Sequence, residues 1–474
     1  MLHLLSSRRL VSERQMIGTV PVTRDALHRI TLRAGEPHEV PLRGDQLTSE
    51  ERRRLESLCV VAEAGGGLRL LPKSQETVGT VQVRNYLISV SPRWFKARTV
   101  LGMILAVYGV TDEVARLGLP QLEGGAAVGR LAESLAALLV VETERALRRH
   151  VAQAYLEREE PVLVLRGRPL FGDFGRSTRP GFTPCRYEEK STDILANRLL
   201  LSGARAALGL IGDERLRRRG VAVVHSLDGL AREQHPTARD YDKAFRRLNR
   251  QSVHYADPLR LARAVTFGYL YGETDVPVPG PVFEMWRLFQ EFVGSIVSGV
   301  APDLKLRAVP LTRERVALVD RVGRPYRDVV PDMILKQASS RGLPLAVIDA
   351  KYKPVYLDGG PGAPPSRNRI LNGDIYQVLF YAEDLRVRSK LARPLPAAIV
   401  APLLDRRQPP GPRWRTVRWP RYEGAAEQRL RLLACPVEAM VERWLSGGSA
   451  AEVASEAPEL QRFLRAVARR GGRL

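Results

Sequence analysis

The sequence predicts an α/β protein, mixed α+β overall, and three observations carry that reading. Residues 78–90, VGTVQVRNYLISV, place β-branched and aromatic residues in partial alternation, the pattern of a half-buried strand or hairpin. The middle of the chain repeats its apolar residues at intervals of three and four, the helix period. Residues 326–405 read as strand, strand, helix, strand, with a helix over 283–298 ahead of them. A length of 474 residues fits two or three domains at roughly 150 residues each. The division expected is a β-containing N-terminal domain over 1–125, a helical connector over 126–274 and an α/β domain over 275–474.

The elements follow in order. Residues 78–90 form a half-buried strand, or a hairpin that turns at Arg84-Asn85. Gly65, Gly66 and Gly67 are a turn before LRLL. ARTVLGMILAVYGVT, 97–111, is an apolar helix of about four turns, stopped by LGLPQLEGG. Residues 126–160 read as one amphipathic helix ended by Pro161, with VLVLRGR as a short strand after it. Residues 188–210 and 242–270 are helical, and the tract holding Arg217, Arg218 and Arg219 between them is a basic loop. ETDVPVPGP, 273–281, marks a boundary. YRDVVPDMILKQ is a strand turning at SSRGLP, and LAVIDAKYKPV is the next. DGGPGAPPS, 358–366, is a surface loop. GDIYQVLFYAEDLRVR returns to the helix period, and PLPAAIVAPLL is a further buried strand.

Composition narrows the function. Lys and Arg number 74 against 52 Asp and Glu, a formal net charge of +22. Such an excess favours a polyanionic partner, nucleic acid first. Cys59, Cys185 and Cys435 are far apart with no CxxC, against a disulfide scaffold or a structural zinc site and in keeping with a reducing compartment. No apolar run reaches the roughly 18 residues a membrane span needs. The start, MLHLLSSRRLVSER, is broken by Arg8 and Arg9 too early for a signal peptide. A soluble, cytoplasmic protein is expected, with no membrane partner. GGAAVGRL, 124–131, has Arg130 and Leu131 where a phosphate loop needs Lys and Ser or Thr, so nucleotide hydrolysis is not expected of this chain.

The chemistry gathers around Asp332, Asp349 and Lys351. Strand side chains alternate, so Asp349 and Lys351 face one way, and Asp332 on a neighbouring strand reaches the same face. Two carboxylates suit a hard cation such as Mg²⁺, with Mn²⁺ as a substitute, completed by water and substrate oxygens. Gln377 and Tyr381 lie four apart on one helix face. Only 9 of the 74 basic residues are Lys. A lysine at this position is therefore unlike the generic surface charge of the chain, and its compact ammonium differs from the guanidinium fork used elsewhere.

Pro331-Asp332, then Asp349-Ala350-Lys351, resemble the PD-(D/E)xK nuclease superfamily, several branches of which carry QxxxY on the following helix. IDAKYK followed by DIYQVLFYA is similar to McrC, the nuclease subunit of the modification-dependent restriction system McrBC. VGTVQVRNYLISVSPR, CRYEEKSTDILANRLL and FRRLNRQSVHYADPLRLA fit the same pattern. The resemblance implies a C-terminal restriction-endonuclease-like domain that cuts DNA, with Asp332 and Asp349 as metal ligands, Lys351 as catalytic ammonium and Gln377 and Tyr381 in support. It also implies docking of the N-terminal domain on an McrB-like hexameric AAA+ GTPase whose turnover the chain stimulates. Arg84, Arg93 and Trp94 supply the charge and rigid aromatic surface such a contact uses.

One position departs from the pattern. Where the family carries Leu-Phe-Glu, this chain has Leu288-Phe289-Gln290-Glu291. Either Glu291 serves after a small shift, or the acidic role is filled otherwise or lost. Two alternatives to the nuclease subunit remain: a catalytically inactive adaptor that only activates the motor, and a stand-alone nuclease.

Overall fold

The computed structural model describes residues 28–471, apart from 34–35, 43, 45–46, 66, 75, 111–128, 171–180, 268–280, 311–315, 320–324, 330, 340–341, 354–371, 404–416 and 420–427. The 273–280 boundary, the 358–366 loop and most of GGAAVGRL lie outside the described residues.

The N-terminal β structure is two sheets around one apolar cluster. Thr77–Val83 and Tyr86–Val90 form the expected hairpin, turning where Arg84 takes a left-handed φ of 53°. His28–Leu32 adds in parallel to Tyr86–Val90. A second sheet orders His38–Val40, Gly67–Pro72 and Cys59–Ala64. Helix Ser49–Leu58 starts at Thr48, whose hydroxyl accepts from Glu51 N–H while Glu51 returns a carboxylate to Thr48 N–H. This reciprocal cap satisfies two backbone donors that the helix itself leaves open. The helix buries Leu55 and Leu58 against Leu68, Leu70, Val81 and Ile88.

The fourth strand of the first sheet comes from far along the chain. Val282–Glu284 pairs antiparallel with Thr77–Gly79. Gly79, at φ 151°, makes this possible: a Cβ there would stand 2.4 Å from Pro281 O. Phe283 and Glu284, expected to start the helix, belong instead to the strand Val282–Glu284, and helix Met285–Val300 begins at its end, with Met285 N–H on Glu76 O at 2.8 Å.

Helix Ala97–Tyr108 has the expected apolar character and stops at Gly109, whose φ of 64° lets Val110 N–H reach Leu105 O. The next tract departs from expectation. The helix ends at Arg149, and Ala154–Val162 is a strand with Pro161 inside it. It pairs with Thr183–Ser191, a stretch expected to be partly helical. Helix propensity in LEREE is outweighed by cross-strand charge pairs: Arg158 with Glu189 at 3.2 Å, and Arg186 with Glu157 at 2.9 Å and with Glu159. Pro161 faces Pro184, so neither needs a ladder N–H. The expected basic loop is a helix, Glu214–Asp228, capped by the Asp213 carboxylate on Leu216 N–H.

Helices Leu195–Leu208 and Ala256–Phe267 pack closely because Gly203 faces Ala262. At their N-terminal end Asn197 donates to Ala152 O and Thr192 O, and Ala152 N–H donates to Tyr255 Oη. The two middle segments that carry the family resemblance meet in this buried knot.

The C-terminal sheet orders Leu306–Pro310, Met333–Gln337, Pro344–Ala350, Ala397–Pro402, Gln428–Cys435 and Val417–Trp419. Its centre is parallel and its flanks antiparallel. YRDVVPDMILKQ is two strands, not one: Pro325–Val329 pairs with Val316–Val319, and Met333–Gln337 joins the large sheet. Alternation assigns the faces. Ile334, Val347, Ala397 and Ile399 pack under Val378, Tyr381, Ala382 and Leu385 of helix Asn372–Arg388. Leu335, Ala346, Ile348, Ala398 and Val400 face helices Met285–Val300 and Pro458–Gly471 in the largest apolar cluster. That cluster runs on through Ala97–Tyr108 and the middle helices without a break.

Candidate active site

The Met333–Gln337 and Pro344–Ala350 strands pair with Met333 opposite Ile348, so the positions just beyond, Asp332 and Asp349, meet at the end of the sheet. Asp332 Oδ2 accepts Ala350 N–H at 2.7 Å. Asp349 is 1% exposed. The Lys351 ammonium forms an ion pair with Asp349 Oδ2 at 2.9 Å, while Asp349 Oδ1 is buried and accepts no hydrogen bond among the described residues. Lys351 Nζ donates to Gln377 Oε1 at 3.1 Å, and Gln377 Nε2 donates to Tyr381 Oη at 2.6 Å. The backbone fixes the lysine from behind: Lys351 N–H bonds Val400 O at 2.8 Å.

The electrostatics follow from burial. Burial, with Asp349 beside it, pushes the Asp332 carboxyl up to about 8, against the opposing pull of Ala350 N–H and Lys351. Asp349 is also raised by burial, with Lys351 opposing. Burial alone would lower the Lys351 ammonium; Asp349, then Asp332 and Asp374, outweigh it and hold the group above its ordinary value. Two carboxylates sharing one ammonium leave a site that favours further positive charge.

The structure thus brings together five of the residues singled out in the sequence: Asp332, Asp349, Lys351, Gln377 and Tyr381. The others lie elsewhere. Glu291 pairs with Arg287 at 3.3 Å and lines a cleft of about 620 Å³ with Tyr108, Phe245, Arg260 and Arg263; Gln290 is the buried member of that pair of positions. Arg84 sits 4.0 Å from Glu51 across the N-terminal sheet. Trp94 is half-buried, with Arg93 over its ring at 5.6 Å and the ring of Tyr352 at 4.9 Å on it.

Three residues near the site had not been singled out. Asp374 holds Lys353 Nζ at 2.7 and 2.8 Å through both oxygens. Its spacing of three and seven from Gln377 and Tyr381 on one helix is the signal that would have found it. Tyr352, between the two lysines, is buried. Glu76 arrives from the N-terminal sheet, where its charge is felt by Lys353 and Tyr352; no spacing in the sequence links it to this place. Among the described residues no three His, Cys, Asp or Glu side chains are gathered as a metal cage.

The chain belongs to the McrBC 5-methylcytosine restriction system component family, whose model matches residues 72–391. Among solved structures it is similar to a chain of the refined half-complex from the tetradecameric assembly of Thermococcus gammatolerans McrB AAA+ hexamers with bound McrC. That likeness has a TM-score of 0.53 at 14% identity and covers 90% of this chain and all of that one. It is a likeness of fold. A chain of the cryo-EM structure of the Thermococcus gammatolerans McrBC complex also matches, at TM-score 0.39 and 16% identity, over 57% of this chain and 87% of that one. No curated protein sequence matches. No described helix is long and apolar enough to cross a membrane.

Proposed function

We propose that the chain is the metal-dependent DNA endonuclease subunit of an McrBC-like, modification-dependent restriction system, and that it works with an AAA+ GTPase partner. The observation that carries the reading is the buried Asp349 carboxylate: its Oδ1 accepts no hydrogen bond among the described residues, its Oδ2 is paired with the Lys351 ammonium, and a second carboxylate stands beside it. Burying such a group is costly unless something compensates it, and Lys351 alone does so incompletely.

The donor set fits Mg²⁺ or Mn²⁺ in the way these ions are commonly held, by one or two carboxylates with the rest of the shell left to water and phosphate oxygens. Asp332 and Asp349 would hold the ion. When bound, it supplies positive charge to the reacting phosphate and acidifies water. The protein's own part is to place the charge. Gln377 and Asp349 fix Lys351 Nζ where an ammonium can orient water and offset charge developing on a phosphate oxygen. Tyr381 holds Gln377 in turn. The net charge of +22 serves contacts to the DNA backbone, which position without reading sequence.

The partner is carried over from the structural relative, which is bound to McrB AAA+ hexamers. Arg84 and Trp94 are engaged within the chain, so the docking surface is better sought on the arm Ala154–Ser191. Its tip exposes Leu163, Val164 and Leu165 at 63–70%, in a chain where apolar residues of that size are mostly covered. The catalytically inactive adaptor stays the second reading, favoured by the buried Gln290 where the family pattern has an acid.

The test is cleavage of 5-methylcytosine DNA by the intact chain with its AAA+ partner and GTP. Cutting is expected with Mg²⁺ or Mn²⁺, none in excess EDTA, and a loss of about 100-fold or more in Asp349→Ala with DNA affinity retained. Full activity in EDTA, or in Asp349→Ala, overturns the reading. Normal GTPase stimulation with no cutting by wild type in either metal favours the adaptor.

A further inference from the structure

The catalytic strand is touched on one side by residues that belong to the other end of the chain. Side chains alternate beyond Ala350, so Lys351 and Lys353 point toward helix Asn372–Arg388 while Tyr352 points away. Tyr352 is 3% exposed. Its ring meets Trp94 at 4.9 Å, tilted by 53°, and Phe95 and Phe289 at 6.0 Å each. Trp94 and Phe95 lie on the short connection between strand Tyr86–Val90 and helix Ala97–Tyr108. Phe289 is on the helix that starts from the strand added to the N-terminal sheet. Glu76, at the foot of that sheet, adds a carboxylate whose field acts on Lys353 and Tyr352 together.

Tilted aromatic contacts at these centroid distances are attractive and directional. The segment they hold follows the last paired residue of its strand, and among the described residues its backbone bonds are Lys351 N–H to Val400 O and a tight Lys353 N–H to Lys351 O turn. A ring clamped on one side of a three-residue stretch sets where the flanking side chains point on the other.

We infer that Trp94 is a positioning residue: its packing on Tyr352 aligns Lys351 and Lys353, and so joins the N-terminal sheet to the active-site strand. The inference rests on the proposed nuclease reading for its catalytic consequence, but the alignment itself has its own readout. A shift of the N-terminal sheet, by a partner or by substitution, reaches the ammonium of Lys351 through the rings packed on Tyr352.

The experiment uses the intact chain with Trp94→Ala, Trp94→Phe and Tyr352→Leu. Amide hydrogen exchange at Lys351–Lys353 is expected to rise about 10-fold or more in Trp94→Ala and Tyr352→Leu and to stay near wild type in Trp94→Phe. Exchange in helix Leu195–Leu208, remote from the clamp, serves as the control for global loosening. With the AAA+ partner and methylated DNA, kcat for cleavage falls about 10-fold or more in Trp94→Ala while KM for DNA holds within about 2-fold, and Trp94→Phe restores kcat. Unchanged exchange at Lys351–Lys353 in both truncated variants overturns the inference, whatever the cleavage result. Equal loosening everywhere overturns it too, since Trp94 is then only core. Wild-type protein that never cuts DNA overturns the nuclease reading, and the exchange pattern still decides the clamp.

Discussion

Lys351 Nζ stands 2.9 Å from Asp349 Oδ2 and donates at the same time to Gln377 Oε1 at 3.1 Å. The lysine is thus shared between a charge it neutralises and an amide that aims it. Such an arrangement leaves Asp349 Oδ1 buried and without a donor among the described residues.

The first prediction concerns pH. The folded protein holds Asp332 protonated up to about 8, whereas an unfolded carboxyl titrates near 3.9. Between those values the folded state binds the extra proton, so stability falls as pH rises through the window. Asp332→Asn removes the titration. In EDTA its melting temperature should exceed that of wild type, by more at pH 8 than at pH 5. A constant difference across the window, or a lower melting temperature throughout, refutes the assignment.

Lys351→Arg should not rescue Lys351→Ala. The site holds the ammonium at 19% exposure between two acceptors, and a planar guanidinium fork neither fits that space nor shares its geometry. Both variants should lose about 100-fold or more in cleavage while binding DNA nearly as wild type. An arginine variant that cuts at a tenth of the wild-type rate or better, read in single-turnover assays, would contradict this.

Tyr381→Phe tests the relay behind the lysine. Gln377 Nε2, which is only partly buried, loses its 2.6 Å acceptor, at a cost below the roughly 1–3 kcal/mol of a fully buried unsatisfied donor. Cleavage should drop about 10-fold, Gln377→Ala should drop further, and the double variant should be no worse than Gln377→Ala alone. Additive losses would mean that the two residues act separately.

Glu291→Gln should leave cleavage within about 2-fold of wild type, because Glu291 is engaged with Arg287 in another cleft and exposed helix ion pairs contribute little. A loss comparable to that of Asp349→Ala would return Glu291 to the site.

Leu163→Asp with Leu165→Asp addresses the arm. Stimulation of the partner's GTPase should fall about 10-fold or more, with the melting temperature unchanged, since these side chains are largely exposed among the described residues. Undiminished stimulation would move the docking surface elsewhere.

Much of the site was legible in the sequence because strand alternation and helix period are local rules. Asp349 and Lys351 two apart, and Gln377 and Tyr381 four apart, fix their own faces, and one strand pairing brings Asp332 to them. The hairpin over 77–90 and helix Ala97–Tyr108 were readable for the same reason. What escaped was decided across distance. Ala154–Val162 is a strand because Thr183–Ser191 lies against it, and nothing within LEREE says so. Trp94 reads as a surface anchor beside Arg93, Lys96 and Arg98 until Tyr352, from 258 positions along, covers it. Glu291 sits beside a motif position in the alignment of letters, but one residue of helix turns the side chain by about 100°, and that is enough to send it to another cleft.

The strand Val282–Glu284 carries a consequence for how the chain is made. The Thr77–Val83 edge that it covers is synthesised some two hundred residues earlier, Gly79 against Val282. During translation that edge waits, unpaired, while the whole helical middle emerges. Long-range pairings of this kind form late and slowly, and an open strand edge invites foreign strands meanwhile. A fragment ending near residue 125 would keep that edge open for good. Supplying Pro281–Glu284 in trans, as a short peptide, is the repair the architecture itself suggests.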